Sequence, residues 1–191
     1  MLELFIEWDK AFFLLINTEW HHVFLDLILP YWRTKTTWIP LYILLLLVIG
    51  KDRGFKTLWV LIILGITIGL ADQISSEWIK KFVERVRPCN DSTLSNVRAL
   101  IPCGSGFSFT SSHAINHFAL VMQLFLIFRM TWKTRYFVAL FIWAGLVAYA
   151  QVYVGVHYPL DVIAGGLLGC LLAWIVYQVS AWLGIIRKIW S

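Results

Sequence analysis

Long apolar runs broken by short polar turns set the rhythm of this chain. The runs fall at about 36–50, 57–79, 110–128, 136–156 and 160–186. A hydrocarbon core about 30 Å thick needs roughly 20 residues of helix. Four of the runs meet that length as they stand. The run ending at Gly50 reaches back to Trp32, with Arg33 and Lys35 snorkelling to the interface. The pattern predicts an all-α, polytopic transmembrane helical bundle of five to six crossings. The sixth would lie within residues 11–32, where Asp26 and Pro30 interrupt the apolar character. Residues 1–17 scatter Glu3, Glu7, Asp9 and Lys10 through an apolar background. That mixture predicts an N-terminal amphipathic helix along the membrane, with 1–32 as an interfacial segment. It has neither the basic start nor the small-residue site of a cleavable signal peptide. The whole of 1–191 reads as one membrane-embedded domain.

Composition supports the bilayer as solvent. Of 191 residues, 60% are hydrophobic and only 14% charged, against roughly 25% charged in soluble domains. Many of the eleven tryptophans stand at run boundaries, where indole favours the lipid–water interface. The net charge of +5 sits mainly in turns, without a basic stripe of interleaved aromatics, so nucleic acid is not an expected partner. Lys51, Arg53 and Lys56 fill one turn, and Arg129, Lys133 and Arg135 another. Arg187 and Lys188 follow the last run. With five runs these clusters share one face, which the positive-inside rule makes cytoplasmic. The opposite face, periplasmic or external, receives the long polar segment 80–110 and the turn at His157. Cys89 and Cys103 lie in that segment; they would pair in an oxidising compartment and remain thiols in a reducing one. Gly165, Gly166 and Gly169 form a small-residue face for close helix packing.

Three polar patches fall on the extracytoplasmic side. Lys80 and Arg87 are seven residues apart, so they share a face if the helix continues, and paired cations make an anion site. Thr110-Ser111-Ser112-His113 precedes an apolar run, where hydroxyls cap a helix and its free N–H groups meet anions. His157-Tyr158-Pro159-Leu160-Asp161 places an imidazole and a carboxylate four residues apart. A carboxylate on one ring nitrogen makes the other a better nucleophile. Each patch has a plainer account: snorkelling for the first, a simple cap for the second, and a first-turn acid for Asp161. Their agreement on one face, reached from loop charge alone, favours a shared site.

These residues resemble the type 2 phosphatidic acid phosphatase superfamily. The family pattern is Lys-x6-Arg-Pro, then Pro-Ser-Gly-His, then Ser-Arg-x5-His-x3-Asp. The first part is intact as Lys80, Arg87 and Pro88. The second keeps Ser111 and His113, with Thr110 and Ser112 in the flanking places. The third reads Ala150-Gln151, then His157 and Asp161. The resemblance implies a metal-independent lipid phosphatase without cofactor. His157 would attack phosphorus to form a phosphohistidine, Asp161 would orient it, and His113 would protonate the leaving oxygen. Lys80, Arg87, Ser111, Ser112 and Gln151 would hold the phosphate. Gln151 departs from the family Arg, and Arg98 or Arg85 is expected to supply the missing charge.

His113 and His117 have a metal-ligand spacing, but the Glu of His-Glu-x-x-His is absent, and His117 falls deeper in an apolar run where it packs or hydrogen-bonds. Substrates implied by the family include undecaprenyl diphosphate and phosphatidylglycerol phosphate, which the outward site favours, with phosphatidic acid and lipid A phosphates beside them. The alternative is an impaired family member, or a transporter or lipid-binding protein without phosphatase activity. Membrane lipids are the expected surroundings, and a bacterial inner membrane the expected location.

Overall fold

A computed structural model describes residues 2–191, with side chains from Glu3 onward. The described residues form helices and turns only: α1 (Leu2–Leu14), α2 (Val23–Trp32), α3 (Ile39–Arg53), α4 (Thr57–Gln73), α5 (Lys80–Val83), α6 (Ser112–Phe128), α7 (Thr134–Tyr153), α8 (Pro159–Trp182) and α9 (Ile185–Trp190). A wide π turn, Ile74–Ile79, joins α4 to α5. The boundaries follow local chemistry. Pro40 opens α3 and Pro159 opens α8, at first-turn positions that need no amide hydrogen. Gly54 ends α3 at a positive φ of 56°. Ser111 caps α6, its Oγ accepting from the Ala114 N–H.

Helix α6 is the hub. Its buried residues Ala114, Ile115, Ala119, Val121 and Leu124 face α4, α7 and α8. The closest approach is to α8. A Cβ added at Gly169 would sit 2.3 Å from the Ile115 carbonyl oxygen, and one at Gly165 would sit 3.0 Å from the Ser111 oxygen. The small-residue face therefore serves packing, as expected. Residues 42–49 of α3 line the same cavity as 61–68 of α4, so the chain doubles back at Gly54. A buried polar bond ties α4 to α6, with Thr67 Oγ1 donating to Gln123 Oε1 at 3.2 Å.

The outside of the bundle is apolar and polar groups turn inward. Leu44, Leu47, Ile142, Leu167 and Trp174 are exposed, while Thr67, Gln123 and Ser180 are buried. This inversion marks an integral membrane protein. Three stretches are long and apolar enough to cross: 35–90, Thr134–Tyr153 and Pro159–Trp182. Glu3–Glu19 with Val23–Trp32, bent by 116°, makes a fourth if taken as one span. The five to six crossings read from the sequence are a finer count. Helix α6, at 17 residues, is shorter than the three, and 35–90 contains both α3 and α4.

The basic clusters do gather at one end. The Arg53 guanidinium lies 3.6 Å from the Trp190 ring centroid and 5.7 Å from that of Phe128, and Lys188 Nζ lies 4.6 Å from that of Trp59. The N-terminal segment is amphipathic in an unexpected sense. Leu4, Phe5, Trp8 and Phe12 face outward, whereas Asp9, Phe13 and Asn17 are buried against the bundle. One conditional expectation fails: the helix does not persist from Lys80 to Arg87. It stops at Glu84, which turns left-handed at φ 51°, and Arg87 is extended.

Candidate active site

The turn between α7 and α8 buries His157. Gly155 adopts φ 92°, and a Cβ there would lie 2.8 Å from the Arg98 carbonyl oxygen, so the turn needs glycine both for conformation and for space. The Gln151 carbonyl then accepts from the Val156 and His157 N–H groups at 3.2 and 3.3 Å. The segment after α5 hangs on this turn, with Cys89 N–H donating to Gly155 O and Leu100 N–H to Val154 O. His157 Nδ1 stands 3.5 Å from Asp161 Oδ2, in electrostatic contact but beyond a good hydrogen bond. Burial pushes the His157 imidazole below its ordinary 6.5, against the pull of Asp161, which favours the neutral ring. Asp161 is itself fixed from two sides. Its Oδ2 accepts from the Tyr158 N–H at 2.8 Å, and its Oδ1 from Arg85 Nη1 at 2.7 Å.

Around this pair lies an excess of donors. Lys80 Nζ donates to Ser112 Oγ at 2.9 Å, and Ser75 and Ser76 of the π turn approach the same oxygen at 3.2 and 3.4 Å. Ser111 N–H donates to the Asp161 carbonyl oxygen at 3.1 Å, which seats the start of α6 against the start of α8. Arg87 Nε donates to Gly106 O at 2.7 Å, and the Cys89–Cys103 disulfide closes the loop between them. Neither Lys80 nor Arg87 has a carboxylate partner among the described residues, unlike Arg85 with Asp9 and Asp161. Two part-buried cations without carboxylate partners among the described residues are chemically suited to hold an anion. His113 enters in the first turn of α6. Its carbonyl accepts from His117 Nδ1 at 2.7 Å, and the two rings stack with centroids 6.4 Å apart. His117 is thus hydrogen-bonded and packed against Trp143, as its depth suggested.

The sequence-predicted residues Lys80, Arg87, Ser111, Ser112, His113, Gln151, His157 and Asp161 all fall at this end of the bundle. The expected source of the missing charge is corrected. Arg98 is bound to Asn17 and ion-paired with Asp26, and Arg85 is consumed by the two aspartates. The side chain that meets Gln151 is Arg33, whose Nε donates to Gln151 Oε1 at 3.1 Å. Sequence reasoning had spent Arg33 on snorkelling. It also missed Asp9, whose Oδ1 accepts from Leu160 N–H at 2.8 Å beside the Arg85 pair. An acid in the middle of an apolar helix was the available signal.

Comparison with known proteins finds relatives along most of the chain. The family model of the PAP2 superfamily matches residues 56–185. The lipid A 4'-phosphatase of Bacteroides thetaiotaomicron is 30% identical over 184 residues, covering 94% of this chain and 80% of the relative. The undecaprenyl-diphosphatase of Sulfolobus acidocaldarius is 32% identical over 152 residues, covering 80% of this chain and 67% of that one. The crystal structure of Aquifex aeolicus LpxE is similar with a TM-score of 0.67 at 25% identity, covering 88% of this chain and 94% of that one.

Proposed function

Because this chain belongs to the PAP2 superfamily, we propose that it is a membrane phosphatase that cleaves phosphate from an envelope lipid through a phosphohistidine. One observation carries the reading. A buried His157 backed by Asp161 shares its site with Lys80 and Arg87, cations that lack carboxylate partners among the described residues. In the reaction, His157 Nε2 attacks phosphorus and the bond to the lipid oxygen breaks. His113 delivers a proton to that oxygen. Nδ1–H of His157 draws toward Asp161 as the ring gains charge. Water then attacks the phosphohistidine while His113 takes its proton, which releases inorganic phosphate and restores His157. Lys80, Arg87, Ser111 and Ser112 hold the phosphate oxygens, and the step needs positioning and charge stabilisation rather than a metal.

The first substrate is a glycolipid phosphomonoester of the lipid A kind, named for the relative that spans nearly the whole chain. Undecaprenyl diphosphate comes second, and phosphatidylglycerol phosphate third. A cavity of about 440 Å³ between α3, α4 and α6 suits a lipid tail. Leu45, Leu61, Leu64 and Leu120 line it, and His117, one turn below His113, borders it. Helices α3, α4, α6, α7 and α8 each cross the bilayer in this reading. The basic end is cytoplasmic, and the site faces the oxidising side, where Cys89 and Cys103 pair.

The test is phosphate release by purified protein in detergent from a lipid A 4'-phosphate, undecaprenyl diphosphate, phosphatidylglycerol phosphate and phosphatidic acid. The expected result is release fastest from the lipid A substrate, lowered by about 10³-fold or more in His157→Ala. Release that survives His157→Ala sinks the mechanism. A folded wild type inert on all four lipids favours the impaired family member.

A further inference from the structure

A third cation without a carboxylate partner among the described residues comes from outside the three polar patches. Arg33 ends α2, its N–H donating to Leu29 O. The elbow that follows is braced by two contacts. Trp38 Nε1 donates to Trp32 O at 2.6 Å, and the Trp38 ring packs at 5.4 Å against Trp143 of α7. This elbow directs the Arg33 side chain onto Gln151, to which Nε donates at 3.1 Å. An Nε–H can only donate, so the amide oxygen of Gln151 must face Arg33. The amide nitrogen then points away, and Gln151 Nε2 is a fully buried donor with no acceptor among the described residues. Arg33 has no carboxylate partner there either. Its bond to Gln151 brings it to the end of α7, beside the turn that carries His157. The Gln151 main-chain oxygen, on the same residue, accepts from the His157 N–H.

An unpaired buried donor beside an unpaired part-buried cation costs free energy unless an anion completes both. We propose that Arg33 and Gln151 together bind the substrate phosphate, Arg33 giving the charge and Gln151 Nε2 a hydrogen bond. They thereby divide between two residues the work of a single arginine at position 151. The proposal deepens the phosphatase reading and rests on it. It makes α2 part of the active site rather than an interfacial appendage.

The experiment measures two quantities in Arg33→Ala, Arg33→Lys, Arg33→Gln and the double variant Arg33→Gln with Gln151→Arg. One is kcat/KM for lipid phosphate release. The other is affinity for inorganic phosphate, read from the rise in melting temperature it causes. Arg33→Ala should lose about 10²-fold in kcat/KM and most of the phosphate-induced rise, with an unchanged melting temperature in phosphate-free buffer. Arg33→Lys should recover part, since a point charge replaces the fork. The double variant, with the charge moved to 151, should recover to within about tenfold of wild type. That rescue also decides the matter if Arg33→Ala melts early, because a purely structural Arg33 would not be replaced from α7. Arg33→Ala within roughly threefold of wild type in both readouts, or a double variant no better than Arg33→Gln, overturns the proposal. Release that persists in His157→Ala would instead sink the phosphatase mechanism, while phosphate affinity would still report on Arg33.

Discussion

At the scale of single residues, this site sorts its cations by their company. Arg85 touches Asp9 and Asp161, Arg98 touches Asp26, and Lys10 lies 3.0 Å from Asp91. These pairs hold structure. Lys80, Arg87 and Arg33 have no such partner among the described residues, and in the proposed reaction the phosphate is their counterion. The pair His157–Asp161 is open by 3.5 Å, so the carboxylate orients the ring without a full hydrogen bond until charge develops. Asp161→Asn should therefore cut kcat by about 10²–10⁴-fold, as loss of an orienting carboxylate does in other imidazole-dependent enzymes. The acid limb of kcat/KM should fall below pH 6.5 in the wild type, because a lowered imidazole pKa keeps the neutral nucleophile populated further into acid. In Asp161→Asn it should move lower still, since the carboxylate is what raises that pKa. A wild-type limb above pH 6.5, read from the pH–rate profile, would contradict the neutral buried imidazole.

At the scale of elements, one helix pair and one turn set the spacing of the chemistry. Contact of α6 with α8 through Gly165 and Gly169 holds Ser111 and Asp161 together. Gly169→Ala places a methyl 2.3 Å from Ile115 O, closer than any relaxed contact. It should cost about 1–3 kcal/mol and lower activity as the two helices part. Gly145→Ala meets nothing within 4 Å, so it should be neutral or slightly stabilising and serves as the control. Thermal melting and phosphate release on the pair separate the two cases. The π turn matters in the same way. It shifts Ser75 and Ser76 onto Ser112, whose hydroxyl Lys80 uses.

At the scale of the whole molecule, the end that carries His157 is tied into one unit. Lys10, Asp9 and Asn17 of the N-terminal segment bond to Asp91, Arg85 and Arg98 of the long loop, and the disulfide closes that loop beside Arg87. Cys89→Ser with Cys103→Ser should lower stability by about 2–3 kcal/mol in the chain-entropy view. It should also raise KM more than it lowers kcat, because Arg87 would be held less firmly while His157 stays buried. Equal KM values with and without the bridge would show that Gly106 alone fixes Arg87.

The apolar runs and the turn charges were enough to read an all-α membrane bundle with its candidate polar residues at one end. They are local or periodic properties, and the hydrophobic effect acts on them residue by residue. The small-residue face of α8 was legible for the same reason. What the chain order could not reveal was which arginine serves which partner. Arg85 and Arg98 looked equivalent and close to the motifs, while Arg33 lay 118 residues from Gln151. Only the tertiary structure decided that Arg33 meets Gln151, because charge pairing depends on distances of a few ångströms between segments that sequence separation does not measure. The same holds for Asp9 and for the outward-facing apolar side of α1. A polar residue in an apolar helix announces that it needs a partner, and the fold alone says where that partner stands.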